Sequence, residues 1–383
     1  MKSKSAQIQV TFNWIYIMIA GAMILLFFIG IIVKEKAASE ERLSAEVVDI
    51  MESIFTGASL SEKTKNFIDT SGLVDYTLYF DCDAGVSEFG LSGYSYYVSD
   101  SVNPLFAPLE LSSTRLVLWS LPYRLPFKVI DFLFVTSANT KYFLVGNDVS
   151  FINEFNNATE TDNSMLKINW EQLFDLNDLD PGGNFQVRIV DLDGTNVDVG
   201  KPLPEKLLAM GDKKVTAVSF GKLGVNTVDY YQKEGSVWKK LNDNPIRILS
   251  IDEERDAAKY GAIFSGSPES YQCNMMKAFK KLDKLIAVYG GEKMSENIGG
   301  KLAEIVEFYE SNPETSLTTE CLGYLTTYDE NVYTSLRSMQ NQIKTCLVFQ
   351  GEQGKCFDLI THADTLRKAN RILSETGDCI SLY

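Results

Sequence analysis

The side chains able to do acid, base, nucleophilic or metal chemistry are few in kind here. A single histidine, His362, stands among 383 residues, which argues against histidine-rich zinc sites and most histidine-based catalysis. His362 follows Cys356 by six positions, a spacing that turns two helical side chains to different faces. A thiol nucleophile with an imidazole base is therefore not assembled locally. The chain has no G-x-S-x-G elbow, no H-E-x-x-H, no Walker loop and no G-x-G-x-x-G, so hydrolase, metalloprotease, phosphate-loop and dinucleotide chemistry lack their local signatures. No catalytic residue and no cofactor is assigned.

Carboxylates are the exception. Residues 154–198 hold ten acidic side chains against two basic ones. Within them, Asp175-x-Asn177-Asp178-x-Asp180 and Asp191-x-Asp193-Gly194 resemble fragments of calcium loops, because Ca²⁺ takes oxygen ligands from alternate positions. Neither fragment carries the closing bidentate glutamate, and Asp-Gly and Asp-Pro-Gly are ordinary turn sequences. The reading is turns, with no metal site.

Six cysteines, Cys82, Cys273, Cys321, Cys346, Cys356 and Cys379, show no C-x-x-C spacing. An even count without metal spacing predicts disulfides and an oxidising, extracytoplasmic location. Helix boundaries favour Cys346 with Cys356 across a short loop and Cys273 with Cys321 across antiparallel helices, leaving Cys82 for Cys379. The sequon Asn157-Ala158-Thr159 lies in a polar, loop-like stretch near residues 153–164 and marks Asn157 as a glycosylation acceptor outside the cell.

These residues need elements to position them. With 45% apolar and 23% charged residues the chain is globular, and at 383 residues it exceeds one ordinary core. Its formal net charge of −15 without a basic run excludes nucleic acid as a partner. Residues 14–33, WIYIMIAGAMILLFFIGIIV, form an uncharged run of bilayer length that passes into Lys34-Glu35-Lys36. They are expected to be a transmembrane helix whose partner is the lipid bilayer. Leu43, Val47, Ile50, Met51 and Ile54 continue an apolar stripe at helical spacing as far as Gly57.

Beyond the helix, Tyr76–Phe80, Leu116–Trp119, Val129–Val135 and Tyr142–Val145 read as strands separated by turns at Pro104, Pro122 and Pro126. Phe185–Val190, Val215–Phe220 and Ile246–Ile251 read as strands too. A short helix is expected near Pro204–Met210, and a hairpin turns at Glu234-Gly235. Ser267-Pro268 caps the first of four C-terminal helices. The expected fold is α+β, in four parts: 1–57 membrane anchor and extended helix, 58–150 β-rich unit, 151–265 α/β unit, and 266–383 helical bundle.

Lys4-Ser5-Ala6-Gln7-Ile8 ahead of an apolar helix that runs on into a folded body resembles the N-terminus of type IV pilin-like proteins. The likeness covers about fifty residues of the 383. It implies processing between Ala6 and Gln7 and lateral packing against further copies of the chain or other pilin-like subunits. Thr11 stands where such helices often carry glutamate, and Asn13 and Trp14 occupy the helix entrance. The segments Gln9–Ile15 and Ser267–Met275 also look like uncharacterised membrane-anchored proteins of small-genome archaea, a resemblance that implies no activity.

Together these features lead to the expectation of a non-enzymatic, single-pass cell-surface protein. Its C-terminal region would lie outside, and its role would be structural, in assembly or adhesion. Two alternatives of other classes are a tethered extracytoplasmic hydrolase working through paired carboxylates, and a cytoplasm-facing accessory subunit of a membrane complex.

Overall fold

The computed structural model describes residues 5–60, 65–73, 75–183, 185–221, 226–251, 255–313, 316–348, 356–375 and 379–383. In the first helix it describes the side chains of Met23, Leu26 and Ile29, and those from Lys34 onward except Ala37.

Helix α1 (Ser5–Ser59) leads into β1 (Lys65–Asp69), β2 (Leu78–Asp83), β3 (Val86–Leu91), β4 (Tyr97–Asp100), β5 (Leu105–Phe106), β6 (Glu110–Leu111), β7 (Arg115–Arg124), β8 (Lys128–Ser137) and β9 (Thr140–Val145). There follow α2 (Val149–Thr159), β10 (Asn169–Leu173), β11 (Gln186–Asp191), α3 (Glu205–Leu208), β12 (Val215–Phe220), β13 (Thr227–Glu234), β14 (Val237–Lys240) and β15 (Ile246–Arg247). The chain closes with α4 (Ala257–Phe264), α5 (Pro268–Gly290), α6 (Gly300–Ser311), α7 (Ser316–Leu322), α8 (Val332–Val348) and α9 (Phe357–Glu375). The class is α+β.

Among the described residues no helix is long and apolar enough to cross a membrane. The transmembrane helix expected at 14–33 is thereby corrected: those residues are part of one continuous 55-residue helix, α1. The same helix runs on without a break through Lys34, Glu35, Lys36, Glu40 and Glu41, and its later turns bury Val48, Met51, Phe55 and Ala58 against the sheets.

Among the described residues the strands form three sheets, ordered β1-β7-β8-β5, β4-β3-β2-β6 and β10-β9-β11-β12-β13-β14, with β15 on β13. Strands β10, β9, β11 and β12 run parallel to their neighbours, and β13 and β14 continue the sheet antiparallel. Gly235, at φ +63°, makes the β13–β14 turn that a side chain would strain. The segment Tyr142–Val145, expected in the first β unit, is β9 at the heart of the parallel sheet.

Both large sheets are covered on two faces, which explains their nearly unbroken apolar runs. On β8, Phe132 and Phe134 face one cluster, while Leu133 and Val135 face another that holds Val48, Met51, Phe55 and Ala58 of α1. On β9, Tyr142 and Leu144 join the first cluster, and Phe143 and Val145 pack with Leu203, Leu207 and Trp238 on the far side. The first cluster runs without a break from Phe106 to Leu382 and includes the C-terminal helices.

Helix α4 lies in the middle of that cluster with Ala257, Ala258, Tyr260, Gly261, Ala262, Ile263 and Phe264 all buried. A helix enclosed in this way must have both ends satisfied by protein. Asp256 Oδ1 accepts Ala258 N at 2.9 Å and Lys259 N at 3.1 Å. At the other end Arg188 of β11 donates from Nε to Ile263 O at 3.1 Å and from Nη2 to Ala262 O at 3.2 Å and Ser265 O at 2.6 Å.

Two local expectations change. Pro122 was expected in a turn but sits inside β7 opposite Asp131. Strand β1 pairs β7 only from Arg115 to Trp119, so the proline's missing N–H meets no ladder there. The polar stretch after Ser150 is largely helix α2: Asp148 accepts Phe151 N at 3.0 Å as N-cap, and Phe151, Ile152 and Phe155 form a buried face. The asparagines occupy the opposite side.

Phe55 brings the largest apolar side chain of α1 to the docking contact, its ring lying 5.0 Å from Phe89 and 6.1 Å from Phe80. Phe55→Ala should cost about 3 to 5 kcal/mol in urea unfolding, with faster amide exchange confined first to residues 44–59. An unchanged unfolding midpoint would show that α1 does not contribute to the stability of the body.

Candidate functional site

All six cysteines are paired: Cys82–Cys273, Cys321–Cys379 and Cys346–Cys356, with Cα separations of 5.8, 5.6 and 5.2 Å. The Cys346–Cys356 bridge was expected; the other two exchange partners. Helix α5 presses its first turns onto β2 and β3, which turns Cys273 toward Cys82. The C-terminal tail returns to α6 and α9 through Ile380 N to Tyr309 Oη at 2.8 Å and Leu382 N to Asn370 Oδ1 at 2.6 Å, which carries Cys379 to Cys321. Cys356, buried and oxidised, is no nucleophile for His362, which lies half-buried on α9.

Asn157 is exposed on α2, and the Thr159 hydroxyl of its sequon is buried, donating to Phe155 O at 2.7 Å. Ala6 and Gln7 fall in α1, where their side chains lie outside the described residues, as does all of Lys4.

The calcium-like fragments are turns. Asp175 Oδ1 accepts Asn177 N at 2.8 Å, and Asp180 Oδ1 accepts Gly182 N at 3.1 Å, while Asp180 pairs with Lys206 at 3.1 Å. Asp191 is buried at the end of β11. Its oxygens accept Asn196 N at 3.0 Å, Val197 N at 2.9 Å, Ser219 Oγ at 2.9 Å and Asn196 Nδ2 at 3.1 Å. Burial raises this carboxyl above the ordinary range in spite of those donors. Asp193, against the same pull from burial, is held below its ordinary value by Thr195 and the other donors of the loop. Donors from the chain occupy both oxygens of Asp191, the arrangement of a loop closure. Among the described residues no group of three or more His, Cys, Asp or Glu is placed to hold a metal ion.

A polar cluster that sequence reasoning missed lies under α5. Lys277 Nζ, buried, donates to Ser87 Oγ at 2.6 Å and Asn103 O at 3.0 Å. Ser87 Oγ donates in turn to Asn274 Oδ1 at 3.0 Å, which also accepts Leu105 N at 2.9 Å. A serine against a lysine is the geometry of an activated nucleophile, but Ser87 is only 2% exposed and is boxed in by Cys82 Sγ at 3.5 Å. The cluster is a polar clamp between α5, β3 and the loop before β5. No sequence signal distinguishes Lys277 from its neighbours Lys280, Lys281 and Lys284 on the same helix.

The surface that remains is α1 itself. Its described side chains before Glu40 are all exposed, and its first buried one is Ser44. Ile29, Leu43 and Ile50 are 47%, 47% and 53% exposed. They stand at multiples of seven residues, one seam of a helix, while Ser44, Val48, Met51 and Phe55 take the face toward the sheets.

Comparisons with protein-family models, curated proteins and solved structures return no match.

Burial pushes the Lys277 ammonium down to about 8, with Asp100 pulling the other way. Between that value and its ordinary 10.5 the unfolded chain binds more protons than the folded one, so stability should rise with pH across this window. Relative to Lys277→Met, the wild type should gain about 2 kcal/mol between pH 8 and 9.5 in urea unfolding of the oxidised protein. Parallel pH profiles for the two proteins would mean that Lys277 keeps an ordinary affinity for its proton.

Proposed function

We propose that this protein is an extracytoplasmic structural subunit, and that α1 is the element through which copies of the chain assemble. The observation that carries this reading is the division of α1. Its second half is built into the body through Val48, Met51, Phe55 and Ala58, while Ile29, Leu43 and Ile50 leave one apolar seam facing outward.

Exposed apolar side chains at heptad spacing gain most by packing against an equivalent helix. Lys36, on the same seam, interrupts it with a charge and would help to set register rather than affinity. The resemblance of the leader to type IV pilin-like proteins supports the same role and adds processing before Gln7. Three disulfides support an oxidising compartment. They tie β2 to α5, α7 to the C-terminal tail, and α8 to the start of α9, restraints that suit a subunit placed under load.

The double substitution Leu43→Glu/Ile50→Glu changes only exposed positions, so the body should stay folded. Wild-type protein should sediment as an oligomer and the variant as a monomer, with unchanged near-ultraviolet circular dichroism. A wild type that is monomeric at every concentration, or a variant that assembles equally well, would overturn the proposal. N-terminal mass analysis of protein from its native host checks the processing step separately, the expected first residue being Gln7.

A further inference from the structure

Arg188 is the one ionisable side chain inside β11 before Asp191, a strand buried on both faces. It is 5% exposed. Among the described residues its hydrogen-bond partners are the three carbonyls at the end of α4, and its guanidinium carbon lies 5.6 Å from the Tyr230 ring. Among the described residues no carboxylate forms an ion pair with it. Helix-end carbonyls carry about half a unit of negative charge, so a full guanidinium charge is only partly balanced. Burial lowers its hold on the proton, and the Tyr142 and Tyr230 hydroxyls oppose that effect.

Arg188 also lines a cavity of about 420 Å³ that opens where the parallel strands begin, at the opposite end of β11 from Asp191. Thr140, Gln186, Thr216 and Gln232 bring polar side chains to it, and Leu241 and Phe264 bring apolar wall. Its charged lining is Arg188, Lys213 and Lys214 against Glu110, which pairs with Lys213 at 3.2 Å. In a chain of net charge −15, this is a locally positive cavity with its most buried cation at the inner wall. The size and the mixed lining are those of a small-molecule site.

We propose that this cavity binds a small organic carboxylate on a compact apolar body, with the carboxylate against Arg188 and the body between Leu241 and Phe264. A monoanion suits the site because two of the three guanidinium nitrogens are already committed to α4. The apolar wall of Leu241 and Phe264 favours an organic anion over bare phosphate, which has no surface to bury there.

The test uses the full oxidised chain and three probes: fluorescent 2-naphthoate, its neutral isostere 2-naphthamide, and inorganic phosphate. Naphthoate should bind saturably, one per chain and at least about tenfold more tightly than the amide, the difference expected for a buried charge-assisted hydrogen bond. Phosphate should not displace it at equal concentration. Arg188→Gln should weaken naphthoate about tenfold or more. Because that variant also removes support from α4, Gln232→Glu provides a second test. It places a like charge at the cavity, leaves Arg188 bonded to α4, and should weaken naphthoate but not naphthamide. Equal affinity for acid and amide, displacement by phosphate, naphthoate binding unchanged in folded Gln232→Glu, or no saturable binding would each overturn the assignment.

Discussion

A helix with no face left for water sits at the centre of this molecule, and the rest of the structure follows from satisfying its ends. Helix α4 buries nearly every side chain it has between the β7–β8 sheet and the parallel sheet. Its polar ends cannot be left to solvent. Asp256 closes the N-terminus. At the C-terminus Arg188 reaches out of the parallel sheet and takes three carbonyls, with Tyr230 donating to Ala262 O at 3.1 Å beside it. An unsatisfied buried carbonyl costs roughly 1 to 3 kcal/mol, so this contact sets the spacing between α4 and β11. The same requirement places a cation where the charged partners are scarce, which leaves the adjoining cavity electrostatically incomplete.

The second organising constraint is that both large sheets are double-sided. Alternate residues of β7, β8, β9, β11 and β12 belong to different hydrophobic clusters, so each sheet needs a layer on each side. Helix α1 supplies one outer layer, and Leu176, Leu179, Leu203 and Leu207, on the segments before β11 and around α3, supply another. In between, α4 and α5 serve both sheets at once, and the C-terminal helices extend that same cluster. The polar clamp of Lys277, Ser87 and Asn274 and the Cys82–Cys273 bridge hold α5 to the small β2–β3 sheet at neighbouring positions. One is a hydrogen-bonded restraint and the other covalent, and both keep α5 in register with the layer that receives α1.

Seen from function, the two ends of the molecule differ in kind. The α1 end presents exposed apolar side chains at Ile29, Leu43 and Ile50, which favours packing against a like surface. The parallel-sheet end encloses a cavity with one deep cation and a mixed lining, which favours a small ligand. The acidic turns after β10 and β11, where oxygen ligands looked most concentrated in sequence, give most of their carboxylate oxygens to donors of their own loops.

Local order was legible in the sequence wherever one chain segment sufficed to specify it. The strand at Val215–Phe220, the hairpin at Gly235 and the cap at Ser267 before α5 follow from alternation, turn chemistry and capping, which act over a few residues. Even cysteines without metal spacing pointed to disulfides, and Cys346 with Cys356 lay close enough along the chain to be paired by proximity. Tertiary structure decided what depended on neighbours distant in sequence. Pro122 is tolerated in a strand because β1 stops short of it. The asparagine-rich stretch is helical because Phe151 and Phe155 find Tyr260 across the core, with ring centroids at 5.6 and 5.9 Å. Cys273 meets Cys82 because α5 docks on a sheet, and Arg188 became a candidate binding residue only when α4 and the cavity were seen beside it. An apolar run measures how much water a segment avoids, but whether lipid, a sheet or another helix provides the shelter is a property of what packs there. That is why α1 could be recognised as a helix from its sequence while its partner could not.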